Sequence, residues 1–328
     1  MCSERNTVSL SASNRRMTAL LQSLTTGEGT RATALDGVKL MRTDHSLPRS
    51  PVLYEPGIVI VGQGRKRGYL GGKVFTYDAH NYLVLSVPMP FECEVEVGAA
   101  GPLLAVSIRI DLTVLGELLM KMDPKPVAPG DASCGMYATP LDLALSEATV
   151  RLLESLASPA DAQVLGPQIV REITYRVLCG EHGGSLRALI ALNGRLSQVQ
   201  RALARMHASY SGALDVAGLA GDAGMSVSAF HHNFKAVTAT SPLQYLKSIR
   251  LHKARMLMVQ EGIGAGVAAT ARGIRKHVAV QPRIQALFRH DAARRSGEGT
   301  RHTGFGFRRR RTDRVTRVNI PLRAGAPP

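Results

Sequence analysis

Short stretches of alternating apolar and polar residues fill the first half of the chain. Between residues 54 and 110 they are separated by glycine and proline and predict six β-strands with no helix between them. The alternation is strictest from Phe91 to Val97, where Phe91, Cys93 and Val95 face one side and three glutamates the other. This pattern favours a small antiparallel barrel or jelly roll. The predicted strands are 57–62, 67–70, 73–77, 82–87, 91–97 and 103–110.

Helical periodicity replaces this alternation after residue 110. Three helices are predicted, and each has a capping signal at one end. The first follows Asp111, the second follows Thr139 with Pro140 in its first turn, and the third ends at Gly180. The fold class is therefore expected to be α+β, with an N-terminal antiparallel β-barrel followed by helices. The predicted helices are 112–122, 140–156 and 167–179.

A second helical region begins near residue 197 and predicts an all-α domain. An amphipathic helix at 197–210 precedes a short apolar helix, a turn at Gly224 and a further helix capped by Ser226. Phe230 and Phe234 recur at helical spacing on that further helix and are expected to face inward. The positions left on its outward face are Ser228, His231, His232 and Lys235.

This order of elements is typical of a helix-turn-helix motif, whose second helix places its N-terminal residues in the DNA major groove. The next helix begins at Ser241 and Pro242, runs to about residue 260, and has Arg250 on its basic side. A structural or solvent-facing role for the two histidines remains the alternative.

The charge of the chain is concentrated in its second part. The sequence has 41 Lys+Arg against 25 Asp+Glu, a formal net charge of +16. Residues 1–195 hold 19 basic and 19 acidic side chains, whereas residues 196–328 hold 22 and 6. Charge sorted in this way indicates a neutral sensing or catalytic domain followed by one that binds a polyanion, of which nucleic acid is the commonest. A basic tail that serves only solubility is the alternative.

Cysteine and histidine placement argues against metal chemistry and catalysis. The four cysteines, Cys2, Cys93, Cys134 and Cys179, form neither a C-x-x-C pair nor a disulfide framework. The predicted barrel region and its helices contain three scattered histidines, too few for a cupin-type metal centre. We therefore expect no catalytic residue, no metal and no cofactor. Without an apolar stretch of membrane-spanning length or a signal segment, a cytoplasmic protein that does not enter the membrane is expected.

Cys93 lies on the inward face of its predicted strand, near several aromatic residues. Phe75, Tyr77, Phe91 and Cys93 together are a candidate effector pocket, in which the thiol would meet a small ligand or an electrophile. An ordinary buried core cysteine is the alternative interpretation.

The helical region also contains a specific run of residues. It reads Leu219-Ala220, Ala223-Gly224-Met225-Ser226, Phe230, Phe234-Lys235, Thr238, Ser241-Pro242-Leu243-Gln244-Tyr245-Leu246, Ile249-Arg250-Leu251 and Ala254-Arg255. This run resembles the first helix-turn-helix and linker helix of AraC/XylS-type transcriptional regulators. Tyr54-Glu55-Pro56, Gly62-Gln63-Gly64-Arg65-Lys66, Tyr77-Asp78 and 82–88 resemble the cupin-like sensor domain of one AraC subgroup. The resemblance covers roughly residues 34–266.

The resemblance implies a DNA-binding regulator controlled by a small-molecule effector. It implies that Ser228, His231 and His232 reach base edges. Contacts to DNA phosphates are expected from Ser226, Lys235 and Arg250. Double-stranded DNA and an effector are the expected partners, together with a second copy of the chain and, for an activator, RNA polymerase.

The sequence departs from the family where a second helix-turn-helix is expected, from about residue 267. Pro282 interrupts the place of the second recognition helix, and no apolar stripe surrounds it. Permitted codons for residues 271–286, read one base later, can spell the expected glycine–tyrosine turn and two phenylalanines four residues apart. We interpret this as a reading-frame shift near Ala271. The arginine-rich tail with Arg308–Arg311 fits out-of-frame translation, and an evolved basic arm is its alternative.

These observations give four expected regions: a variable segment at 1–30, a cupin-like sensor and dimerisation domain at 31–195, an AraC-type domain at 196–293, and a disordered arginine-rich tail at 294–328. The leading hypothesis is a transcriptional regulator with an impaired second DNA-reading motif. A barrel enzyme with a basic appendage and a non-functional regulator remnant are the alternatives.

Overall fold

The computed structural model describes residues 2–122, 135–190 and 195–261. All of them belong to one compact unit, Met1–Val280, and a second unit, Gln281–Pro328, lies outside the described residues. The strands are β1 Gly29–Ala32, β2 Val38–Thr43, β3 Leu47–Tyr54, β4 Gly57–Gln63, β5 Arg65–Leu70, β6 Lys73–Asp78, β7 Asn81–Leu85, β8 Met89–Glu96, β9 Leu103–Arg109 and β10 Met136–Pro140. The helices are α1 Cys2–Leu24, α2 Leu112–Lys121, α3 Leu143–Ser155, α4 Pro159–Val164, α5 Gly166–Cys179, α6 Gly183–Ile190, α7 Arg195–Ala208, α8 Val216–Ala223, α9 Val227–Thr238 and α10 Pro242–Glu261.

The strands form one curled antiparallel sheet, which confirms the predicted α+β class. Its order is β1-β2-β9-β4-β7-β6-β5-β8-β3, and β10 pairs with β7 off this path. The six predicted strands correspond to β4 through β9, with ends that differ by a few residues. Along β8 the burial alternates as expected, with Phe91, Cys93 and Val95 buried and the glutamates between them partly exposed. One face of the sheet therefore encloses an apolar interior.

The prediction that a helix starts after Thr139 is wrong. Thr139 lies in β10, opposite Tyr82 of β7, and the following helix begins only at Leu143. Asp142 caps that helix, since its carboxylate accepts a hydrogen bond from the Leu145 amide at 2.7 Å. The backbone N–H and C=O groups of this segment are used in pairing with β7. A helix can therefore begin only beyond Pro140.

The N-terminal segment contributes a helix that the sequence pattern did not reveal. Met17 and Leu21 of α1 are fully buried, and the helix packs against α3 and β4. Two polar contacts attach it to the sheet. The Thr18 hydroxyl donates to the Gly62 carbonyl at 2.8 Å, and the Asn14 amide donates to the Ala79 carbonyl at 2.9 Å. Helix α1 thus covers the sheet at Gly62 of β4, where the Leu21 side chain packs closely against the backbone.

The predicted C-terminal helices are present with the expected order. Helix α7 precedes the short α8, Gly224 separates α8 from α9, and α10 follows a left-handed turn at Ala239. The predicted second motif from residue 267 and the tail at 294–328 lie outside the described residues.

Candidate nucleic-acid interface

The turn between α8 and α9 is fixed by caps on both sides. Asp215 caps α8 by accepting a hydrogen bond from the Gly218 amide at 2.7 Å. At the other end Gly224 adopts φ +64°, the left-handed conformation that glycine takes most easily, and the Met225 amide donates to the Ala220 carbonyl at 2.9 Å. The Ser226 hydroxyl then accepts from the Ala229 amide at 3.3 Å and starts α9. These caps set the angle at which α9 leaves the turn.

Aromatic packing decides which face of α9 is buried. Phe230 and Phe234 are fully buried, with ring centroids 5.3 Å apart. The ring of Tyr245 in α10 stands edge-on to Phe234 at 5.3 Å. Because these rings hold one side of α9 against α10, the opposite side is turned to solvent.

That solvent side presents the four residues predicted from the sequence. Ser228, His231, His232 and Lys235 are all exposed, and the first three lie within the first two turns of α9. Within the described parts of the chain, none of the four has a hydrogen-bond or ion-pair partner. The structure therefore brings the predicted base-contact residues together on one accessible face, and their role in reading DNA stays a prediction.

Ser226 and Arg250, the other predicted phosphate contacts, make structural contacts within the chain. Ser226 caps α9, and Arg250 donates from Nε to the Tyr210 carbonyl at 2.6 Å and from Nη2 to the Gly212 carbonyl at 2.7 Å. Arg250 thereby fastens the loop between α7 and α8 to α10. A phosphate contact by Ser226 or Arg250 stays a prediction.

Two basic residues of α7 form polar contacts with α8, the first helix of the helix-turn-helix. Arg205 forms an ion pair with Asp222 of α8 at 2.5 Å. Arg201 donates to the Ala223 carbonyl at 3.1 Å, at the C-terminal end of α8. The contacts orient α8 against α7 and thereby support the turn that positions α9.

Helices α9 and α10 join the sheet domain through polar contacts at Val237 and Tyr245. The Tyr245 hydroxyl donates to the Pro88 carbonyl at 2.6 Å and lies 2.9 Å from Nε2 of His207. The Gly135 amide donates to the Val237 carbonyl at 3.0 Å, which ties the start of the β10 segment to the end of α9. Burial, and to a smaller extent the charge of Lys253, lower the pKa of His207 to about 4, against a small opposing effect of Glu55. His207 is therefore neutral near pH 7.

The four residues predicted to line an effector pocket lie in or against the apolar core of the sheet. Tyr77, Phe91 and Cys93 are buried, and Phe75 is half-buried against the same core. The Tyr77 hydroxyl lies 3.4 Å from Sγ of Cys93. Burial raises the pKa of Tyr77 well above its ordinary value, so the phenol is protonated. The four residues form part of one apolar lining, whereas a ligand role for them stays a prediction.

The sequence analysis did not identify Lys66 and Tyr54 as residues of this interior. Lys66 of β5 is only 6% exposed, and its ammonium donates to the Tyr54 hydroxyl at 2.8 Å. The alternation of side chains along β5 could have identified Lys66. In a strand, every second side chain points to the same face, so Lys66, Gly68 and Leu70 share one face and Arg65 and Arg67 the other. A lysine in the same register as an inward leucine must point into the sheet's interior.

No group of three or more metal-ligating side chains occurs among the residues that the structure describes. In the same residues, no helix combines the length and apolar character needed to cross a membrane.

Comparison with known proteins relates the sheet domain to one family. Residues 34–185 match the model of the AraC-type transcriptional regulator N-terminus. A comparison with curated protein sequences gave no match.

Among solved structures, the unsaturated fatty acid-bound wild-type ToxT from Vibrio cholerae strain SCE256 is 9% identical, with a TM-score of 0.49, over 81% of this chain and 94% of that one. The AraC-like transcriptional activator CuxR is 12% identical, with a TM-score of 0.29, over 72% and 82% of the two chains.

Proposed function

We propose that this chain, which belongs to the AraC-type transcriptional regulators through its N-terminal domain at residues 34–185, binds double-stranded DNA with helix α9 and changes transcription when a small molecule binds its sheet domain. The family match points to a small-molecule-responsive regulator rather than an enzyme. DNA contact by α9, the residues that make it and the route of the signal are the parts that we add. Such a protein acts where the DNA lies, which in a bacterium is the cytoplasm.

The accessible face of α9 is the observation on which the DNA-binding proposal depends. Ser228, His231 and His232 are exposed near the N-terminus of a helix whose other side is locked by Phe230 and Phe234. A helix held in this way fits the major groove, where imidazole and hydroxyl groups can donate to purine acceptors. Lys235 is exposed further along this helix, and we propose that it contacts a phosphate.

The joint at Tyr245 suggests how the effector signal reaches α9. Helix α10 contacts strands β3 and β8, and these strands supply Tyr54, Phe91 and Cys93 to the sheet's interior. A ligand that shifts either strand therefore acts on the helix that packs against Phe234. We propose that effector binding changes the orientation of α9 through this contact.

The second DNA-reading motif is proposed to be impaired by the reading-frame shift near Ala271, in a part of the chain outside the described residues. A regulator with one intact motif depends more on its other contacts. We propose a second copy of the chain and, in activation, RNA polymerase as further partners.

Binding measurements on selected DNA test the proposal. A duplex enriched by the full chain from a random pool is titrated with wild type, His231→Ala and Ser228→Ala, with fluorescence anisotropy as the readout. Loss of a base contact is expected to weaken binding to the enriched site by about 5- to 100-fold while leaving binding to scrambled DNA nearly unchanged.

His80→Ala is the matched control, because His80 is also an exposed histidine but lies in the turn between β6 and β7. It is expected to bind like wild type. Unchanged affinity in both α9 variants, or an equal loss on enriched and scrambled DNA, would contradict base reading by this face.

A further inference from the structure

The tip of the β5–β6 hairpin lies directly against the turn that ends α9. A Cβ at position 71, where the chain has Gly71, would stand 2.7 Å from the Cβ of Ala239. Carbon atoms in contact stand about 3.5–4.0 Å apart, so no side chain fits there unless the turn moves. A Cβ on Gly72, the other residue of the hairpin loop, would meet nothing within 4 Å. Of the two loop glycines, only Gly71 is therefore required for close packing against the end of α9.

A second glycine of the sheet domain approaches the same end of α9. The Gly135 amide donates to the Val237 carbonyl at 3.0 Å, and a Cβ at position 135 would stand 3.0 Å from that carbonyl oxygen. The bond satisfies one of the carbonyl groups that the end of a helix leaves without a partner in the helix itself. The last turn of α9 is thus held by the backbone of the sheet domain at two points, Val237 and Ala239.

The backbone is stiff on both sides of the Gly71 contact. Gly71 and Gly72 form a two-residue loop with φ +57° and +81°, as a type I′ turn requires, and β5 and β6 are paired up to the residues on either side. On the other side, the buried hydroxyl of Thr238 donates to the Phe234 carbonyl at 2.8 Å within α9. A displacement at Ala239 is therefore passed on to α9, because neither side is a loose loop that could absorb it.

We propose that Gly71 and Ala239 are positioning residues for DNA reading, because their close packing fixes the orientation of α9 on the sheet domain. The contact lies at the C-terminal end of α9 and leaves Ser228 and His231 near the other end exposed. Helix α9 has 12 residues and is about 18 Å long, so a small tilt at Ala239 moves the reading end away from the base edges. Hydrogen bonds to bases weaken steeply with such changes in distance and angle. This inference rests on the proposed function, since it concerns the helix that is proposed to read DNA.

DNA binding by variants of the full chain tests the proposal. Gly71→Ala introduces the Cβ that collides with Ala239, and Gly72→Ala is the matched control, because it has a comparable backbone penalty at positive φ without a collision. In the anisotropy titration, Gly71→Ala is expected to bind the enriched duplex about 5-fold or more weakly than Gly72→Ala. Adding Ala239→Gly to Gly71→Ala removes the colliding Cβ and should restore the affinity to within about twofold of Ala239→Gly alone. Equal affinities of the two single glycine variants, or no recovery in the double variant, would overturn the proposal.

Amide hydrogen exchange of the same proteins without DNA separates positioning from folding. In Gly71→Ala the amides of the last turn of α9, residues 235–238, are expected to exchange about tenfold or more faster than in Gly72→Ala, because the collision loosens this end of the helix. The amides of β4 and β9 should exchange alike in the two variants. Fast exchange throughout the sheet in Gly71→Ala would show that the contact serves folding and would overturn the proposal, as would unchanged exchange in α9.

Failure of this inference is distinguishable from failure of the DNA-binding proposal, because the exchange measurement contains no DNA. Faster exchange in α9 of Gly71→Ala together with unselective DNA binding by the wild type would show that the hairpin holds the helix and would contradict base reading. Selective DNA binding that is equal in Gly71→Ala and Gly72→Ala would leave base reading in place and remove the positioning role of Gly71.

Discussion

His207 and Tyr245 show how single residues couple the helices to the sheet. The Tyr245 hydroxyl donates to Pro88, so the bond to His207 requires that the imidazole supply the proton from Nε2. The neutral tautomer with hydrogen on Nε2 meets this need. Protonation of the ring would add a charge in a buried position beside Lys253.

This arrangement predicts an acid-sensitive joint. The pKa of His207 falls from 6.5 to about 4 on folding, so the unfolded chain binds a proton over that interval and the folded chain does not. The free energy of unfolding is therefore expected to decrease as the pH falls from about 6.5 to 4, by on the order of 2–3 kcal/mol from this residue. Urea unfolding at pH values across the interval measures it.

His207→Gln separates this residue from the carboxylates that titrate in the same range. Glutamine offers an N–H to Tyr245 and does not titrate, so the variant should lose less stability between pH 6.5 and 4 than the wild type. Parallel pH dependences of the two proteins would show that His207 is not responsible.

At the scale of elements, α8 and α9 end in the same left-handed backbone conformation, but a glycine adopts it in one case and an alanine in the other. Gly224 ends α8 at φ +64°, and Ala239 ends α9 at φ +56° with a Cβ that disfavours this region. Gly224→Ala is expected to lower the free energy of unfolding by about 1–2 kcal/mol. The added Cβ would lie at ordinary contact distances from the side chains of Arg201, at 3.5 Å, and Gln198, at 4.0 Å, so the expected cost is conformational.

Ala239→Gly is the reciprocal test. Glycine relieves the left-handed strain but gains entropy in the unfolded chain, which leaves an expected stabilisation of about 0.5–1 kcal/mol. Urea unfolding of both variants should therefore move the midpoint in opposite directions. Shifts of the same sign would show that packing rather than backbone conformation governs these two positions.

The elements also show which parts of the fold the sequence could predict. Strict alternation in β8 and the caps around α9 are local signals, and both were confirmed. Strand β10 and the start of α3 were mispredicted because Thr139 and Pro140 look like a helix start until β7 supplies partners from a distant part of the chain. Lys66 was overlooked for a related reason, since the predicted strand began at residue 67, whereas β5 begins at Arg65 and pairs with β8 along its length. Long-range pairing and side-chain parity decided both cases.

At the scale of the whole molecule, the distribution of charge and the order of the domains agree with the proposed division into a sensing part and a DNA-binding part. The neutral part, residues 1–195, forms the sheet domain and its helices, and the basic part begins with the helices that present α9. Under the proposed function, the basic excess supplies attraction to DNA that is independent of sequence and sensitive to salt. Selectivity must then come from the few side chains that reach base edges, and a regulator of this design is sensitive to the loss of any of them.

The proposed reading-frame shift near Ala271 makes that sensitivity measurable. In a gel-shift titration, a chain encoded with the shifted frame restored is expected to bind the DNA enriched from the random pool far more tightly than the present chain. Two or three recovered base contacts, each worth about 1–3 kcal/mol, correspond to an affinity gain of roughly 30-fold to 10⁶-fold. The present chain should still bind all DNA at low salt through its arginine-rich tail and lose that binding steeply as salt rises. Equal affinities of the two chains for the enriched DNA would contradict the shift and would favour the tail as an evolved basic arm.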